Sequence, residues 1–189
     1  MTFRARNFTV SILIPILFRT MLCSAPEAKA GEAWHHLTQA QLQSIINTLA
    51  PTHLRPAAPA YIPPGFRVTL AEADASIRYA NGDYDPGFKI EYRGPEGQCF
   101  GLIESKGGSR GLQNITTVNS AIGPIAIYRD VYATEERRNI LTAFLPPGES
   151  VMLKSGFADE KPDGSVSFCK SIGLQEFVKV AKSIQWLKK

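Results

Sequence analysis

Apolar residues fall at helical spacing near both ends of the chain and at spacing two in between. Leu42, Ile45, Ile46 and Leu49 share one helical face, and Thr38 followed by Gln41 has the spacing of a capping box. The pattern predicts a helix over about residues 38–50. Pro51, Pro56, Pro59, Pro63 and Pro64 then deny the backbone both helix and ladder hydrogen bonds, so residues 51–64 read as an extended strap. Pro64-Gly65 marks a tight turn. Beyond it Phe66, Val68 and Leu70 alternate with Arg67 and Thr69, and Phe88, Ile90 and Tyr92 alternate with Lys89, Glu91 and Arg93. Phe100 and Leu102 follow the turn Gly94-Pro95-Glu96-Gly97. Such alternation is the mark of half-buried strands, and residues 77–80, 125–130, 140–145, 151–154 and 166–170 add further candidates. Short spacing between them favours antiparallel hairpins.

At the far end Leu174, Phe177, Val178, Ala181 and Ile184 lie on one helical face, opposite Glu176, Lys179 and Lys182. An early acid and late lysines suit the helix dipole, and a terminal helix over 174–187 is predicted. The resulting expectation is an α+β domain: a curved antiparallel sheet with an N-terminal and a C-terminal helix packed on one face.

The first thirty residues follow another pattern. Arg4 and Arg6 precede an apolar stretch over residues 8–18, which Arg19 closes well short of the ~20 residues that a bilayer span needs. Ala28-Lys29-Ala30 places small residues where a signal peptidase wants them, so the cut is expected before Gly31. Two rivals fit less well. A buried core helix is opposed by Pro15 and Arg19, and a lipid-attachment site at Cys23 is opposed by Leu22, which is not small. The expected organisation is a cleavable signal peptide at 1–30, a helix and proline-rich strap at 31–64, and the sheet with its terminal helix at 65–189. Residues 31–189 would form a single mature domain.

Removing the leader changes the charge and the cysteine count. Of the 21 basic and 17 acidic residues, the first thirty positions hold four and one, leaving 17 and 16. A near-neutral domain gives no case for nucleic acid or an anionic membrane as partner, and the shortness of the apolar stretch speaks against stable membrane insertion after cleavage. Cys23 leaves with the leader, and Cys99 and Cys169 remain. Two thiols in an oxidising compartment read as a disulfide, which would stabilise the fold by about 4 kcal/mol through loop closure; two buried free thiols are the alternative.

Candidate chemistry is sparse. His35, His36 and His53 all precede the sheet, where a solvated segment is the simplest reading. A hydrolase built on carboxylates would need Glu91, Glu104 and Asp130 to converge, although alternation already puts Glu91 on the polar side of its strand. Asn81, Asp83 and Asp85 imitate a calcium loop, but Pro86 and Tyr92 stand where such a loop wants glycine and glutamate, and a hairpin connection explains them. The stretch Lys106-Gly107-Gly108-Ser109-Arg110-Gly111 lacks the glycine spacing of a phosphate loop and reads as a hairpin tip. Asn114-Ile115-Thr116 is a formal glycosylation sequon, relevant only in a eukaryotic secretory pathway. No catalytic, metal or cofactor residue is assigned.

Tyr61-Ile62-Pro63-Pro64-Gly65-Phe66 opening a run of hairpins, with LQEFVKVAKSIQWL closing it, resembles bacterial exported or envelope domains of unknown function, some of them carried on the outer side of membrane-bound regulators. The likeness covers most of residues 60–187. In layout the chain is also similar to lipoprotein-carrier-type folds, in which a curved sheet and helices enclose an apolar ligand. Neither resemblance lends a catalytic residue, and the chain departs from the regulator-borne domains in having no membrane helix of its own after cleavage. The expectation is therefore a periplasmic or secreted, non-enzymatic binding module for a protein or an apolar ligand. A secreted carboxylate-dependent hydrolase and a purely structural envelope protein are the alternatives.

Overall fold

The structure is a computed structural model that describes residues 36–78, 84–104, 111–131, 139–146, 151–160 and 166–188. The expected leader with its cleavage residues Ala28, Ala30 and Gly31 lies outside the described residues, as do His35, Asn81, Asp83 and positions 106–110.

The first helix forms where the pattern places it. Helix α1 spans Gln39–Leu49, and the Thr38 hydroxyl accepts the Gln41 N–H at 3.2 Å while the Gln41 side chain accepts the Thr38 N–H at 2.9 Å. This reciprocal cap satisfies two of the donors that a helix N-terminus leaves open. Ile45 and Leu49 are buried.

The strap is not free of ladder pairing. Strand β1, Ala57–Pro59, pairs antiparallel with residues 184–186 near the chain's end, and Leu187 donates its N–H to the Pro56 carbonyl at 2.9 Å. Proline lacks a donor but keeps its carbonyl, so a two-stranded ribbon can form with prolines on its margin. Pro64-Gly65 makes the expected turn, with Gly65 at φ 81°.

The remaining strands follow in order: β2 Arg67–Arg78, β3 Tyr84–Arg93, β4 Gln98–Glu104, β5 Leu112–Ser120, β6 Gly123–Asp130, β7 Leu141–Leu145, β8 Val151–Ser155, β9 Ala158–Glu160, β10 Val166–Phe168 and β11 Lys170–Ser171. Helix α2, Leu174–Lys182, and strand β12, Ile184–Trp186, complete the chain. The main sheet runs β2-β3-β4-β8-β7-β6-β5, with β11 added parallel to the start of β4. Every pairing along that path is antiparallel. The chain therefore builds one meander, jumps from β4 to the far edge, and returns through a second meander until β8 meets β4.

Two further expectations need correction, and one strand was not foreseen. Of the strand expected at 77–80, residues 77 and 78 are the end of β2, which runs through two register shifts that hide its continuity from the alternation, and 79 and 80 lie outside the described residues. Strand β5 carries too few apolar residues to announce itself. The terminal helix stops at Lys182: the Ser183 N–H bonds to Lys179 and Val180 carbonyls, its hydroxyl closes on the Val180 carbonyl at 2.8 Å, and Ile184–Trp186 leaves to pair with β1.

Phe88, Ile90 and Tyr92 of β3, Phe100 and Leu102 of β4, Leu153 of β8 and Ile127 of β6 bury their side chains in one cluster with Ile45, Leu49, Phe177, Val180 and Ile184. The sheet thus has a core side, onto which helix residues pack, and an opposite side, called outer below. Tyr92 and Phe100 stack at 4.6 Å between ring centroids, and Phe66 sits 5.5 Å from Phe100. Phe66 lies where a side chain on Gly94 would intrude to within 2.5 Å, so the glycine makes room for the ring. The strap is fastened to α2 by the Tyr61 hydroxyl, which donates to Glu176 at 2.7 Å, while Lys179 bonds to the other carboxylate oxygen. Those two bonds hold the Glu176 carboxyl below its ordinary pKa, the lysine contributing most. Among the described residues no helix is long and apolar enough to cross a membrane.

Candidate functional site

The alternation that sends Phe88, Ile90 and Tyr92 to the core sends Lys89, Glu91 and Arg93 together to the outer side of β3. An outer-side charge would ordinarily be solvated, yet the Glu91 side chain is only 8% exposed. It forms an ion pair with Lys89 and a second with Arg93 at 3.4 Å. A buried carboxylate needs such partners, because desolvation without them costs several kcal/mol.

Phe157 supplies the cover. Its ring centre lies 5.7 Å from the Lys89 ammonium and 5.6 Å from the Arg93 guanidinium, so both cations meet an aromatic surface. The ring can lie this low because the residue beneath it is glycine. A Cβ on Gly101 would stand 2.7 Å from the Ile90 carbonyl and 3.4 Å from the Phe157 ring. A recess of about 200 Å³ remains beside the ring, lined by Lys89, Glu91, Gly101, Ile103, Lys154, Phe157 and Ala158.

The disulfide fastens this arrangement on the same outer side of the sheet. Cys99 and Cys169 are bonded, with 5.8 Å between their Cα atoms, as the cysteine count leads one to expect. Cys99 faces Arg93 across the β3–β4 ladder. Phe157 donates its N–H to the Cys169 sulfur at 3.3 Å and accepts the Cys169 N–H on its carbonyl at 3.1 Å. Gly156 bonds to the Cys99 carbonyl at 3.2 Å. The segment carrying the ring is thereby fixed to the strand that carries the floor. Nearby, buried Ser155 has its hydroxyl satisfied by Ser171 at 2.7 Å and by the Ile172 N–H at 2.8 Å, a structural tie between β8 and the β11 segment. A disulfide of this kind belongs to a chain that matures under oxidising conditions.

The other sequence-singled residues scatter. Glu91 and Asp130 lie in β3 and β6, four strand spacings apart, or about 19 Å of sheet. Glu104 lines a different recess, with Glu72, Asp74 and Lys89, at the end of β2–β4. The three carboxylates expected of a hydrolase are therefore not brought together. His53 is exposed on the loop after α1, and His36 is half-buried ahead of it. Asp85 pairs with Ile77 in the β2–β3 ladder. Asn114 of the sequon is exposed on β5. Phe157, Gly101 and Lys154 escaped the sequence reading. Only Gly101, a glycine interrupting an otherwise regular strand, carries a local signal of close approach.

No family model matches the chain, and neither a curated protein nor a solved structure matches it.

Proposed function

We propose that the chain is an exported, non-enzymatic interaction module of the bacterial envelope that takes a partner protein against the outer side of its sheet. In this reading the sheet is curved, helices at both ends of the domain cover its core side, and the mature part works in the periplasm or outside the cell. The disulfide supports an oxidising compartment. One observation carries the choice of surface: beside the Phe157 ring, a recess of about 200 Å³ is lined by the ammonium-bearing Lys89 and Lys154 as well as by Glu91. Ammonium groups beside an aromatic ring suit an acidic side chain or a terminal carboxylate of the partner. The recess has the space of roughly six or seven waters, which is the scale of one side chain. An apolar ligand enclosed between sheet and helices is disfavoured, since Phe88, Tyr92, Phe100 and Phe177 fill that space.

N-acetylglutamate is a minimal probe of the recess. In the oxidised protein it should give saturable amide shifts at Gly101, Lys154 and Phe157 that the neutral diamide N-acetylglutaminamide does not give, and Lys154→Glu should abolish them. Equal shifts with both compounds, or none with either, would remove the reading.

A further inference from the structure

Among the described residues the main sheet ends in β2 on one side and β5 on the other, and the two edges are built differently. Strand β2 carries Arg67, Glu72, Asp74 and Arg78 and shifts register twice. Charges and bulges are the usual means by which a sheet edge refuses another strand. Strand β5 reads LQNITTVNS, with neither a charge nor a proline. Its single register shift lies between Asn114 and Thr116, which leaves residues 116–120 regular. Thr117 and Asn119 are exposed. Among the described residues the large apolar side chains that stand exposed are Val131, at 52%, and Leu174, at 39%, and each belongs to the surroundings of β5. Val131 bonds its N–H to the Gly111 carbonyl at the entrance to β5, and Leu174 opens α2, the helix that packs on β5 and β7.

We infer that β5 pairs antiparallel with β5 of a second copy of this chain, across a two-fold axis, so that the two sheets become continuous. A closed two-fold interface must be complementary to itself. An uncharged strand meets its own copy without repulsion, and a pairing centred on Val118 sets Thr117 against Asn119 of the partner subunit and Thr116 against Ser120 of the partner subunit, each twice. All of these are hydroxyl–amide or hydroxyl–hydroxyl pairs that can hydrogen-bond across a ladder. The same operation on β2, centred on Ala73, would set Glu72 against Asp74 of the partner subunit and place like charges in contact. The β5 edge is thus the one that can close on itself.

Sedimentation equilibrium of the purified, oxidised protein over a wide concentration range tests this, together with hydrogen exchange of residues 116–120. A monomer–dimer equilibrium is expected, with slower exchange of those amides as concentration rises. Thr117→Lys/Asn119→Lys should weaken it by about tenfold or more, and Thr69→Lys on β2 should leave it unchanged. Should the double variant not fold, Asn119→Asp serves as the milder replacement and should still weaken the dimer. A monomer at every concentration, a dimer indifferent to the β5 substitutions, or pairing of this edge with a foreign strand while the pure chain stays monomeric would each overturn the inference.

Discussion

The two sides of the β3–β4 ladder come from the same residues read alternately, and they are held together by different physics. On the core side Phe88, Ile90, Tyr92, Phe100 and Leu102 gain from leaving water, a non-directional gain that tolerates many arrangements. On the outer side Lys89, Glu91 and Arg93 gain only if each charge finds its partner and the Phe157 ring covers them in the right place. The first side makes the fold stable, and the second makes one surface of it particular. The interaction surface proposed above needs a fixed segment above a strand, and the Cys99–Cys169 bond provides that fixation.

Substitutions can separate the two sides. Phe100→Ala removes a fully buried ring from the Tyr92 stack and should cost about 3–5 kcal/mol in a urea titration. A loss under 1 kcal/mol would mean that the core side is loosely packed. Gly101→Ala acts on the outer side, where the added methyl meets the Ile90 carbonyl; it should cost about 1–3 kcal/mol and displace Phe157, visible as a change in the ring's proton shifts. Glu91→Gln keeps the shape and removes the charge, leaving two partly exposed cations. About 1 kcal/mol is expected, together with a new dependence of stability on salt as Lys89 and Arg93 repel each other.

The last effect is absent at neutral pH and confined to alkaline solution. Burial pushes the Tyr92 phenol well above its ordinary pKa, so the folded state keeps its proton where the unfolded chain loses it. The stabilisation is complete below the unfolded value near pH ~10 and declines above it, by up to about 1.4 kcal/mol per pH unit. Tyr92→Phe should flatten that decline, and unfolding curves recorded from pH 9 upward would reveal whether it does.

What the sequence disclosed follows the same division. Alternation identified the core residues of β3 and β4, and the capping box located α1, because both are local signals with a fixed period. The cysteine pair was legible once the expected leader had taken Cys23 with it, leaving two thiols for an oxidising compartment. Strand β5 was hidden because its exposed positions hold Gln113, Asn114, Thr117 and Asn119, which give no contrast against a loop. The ribbon between β1 and β12 was hidden because its partners lie more than a hundred residues apart, and helical periodicity continued past Ser183 into a strand. Glu91 was correctly placed on the polar side but read as ordinary surface charge. What makes it unusual is Phe157, sixty-six positions away, and no local pattern connects the two.

The outer platform depends on the sulfur bridge that fastens the Phe157 segment to β4. Peptide mapping without reductant, on protein recovered from its own host with free thiols blocked at lysis, tests it directly. The expected result is a single crosslinked species joining the peptide of Cys99 to that of Cys169. Both cysteines recovered as blocked thiols would contradict the oxidising compartment and the fixed outer platform alike.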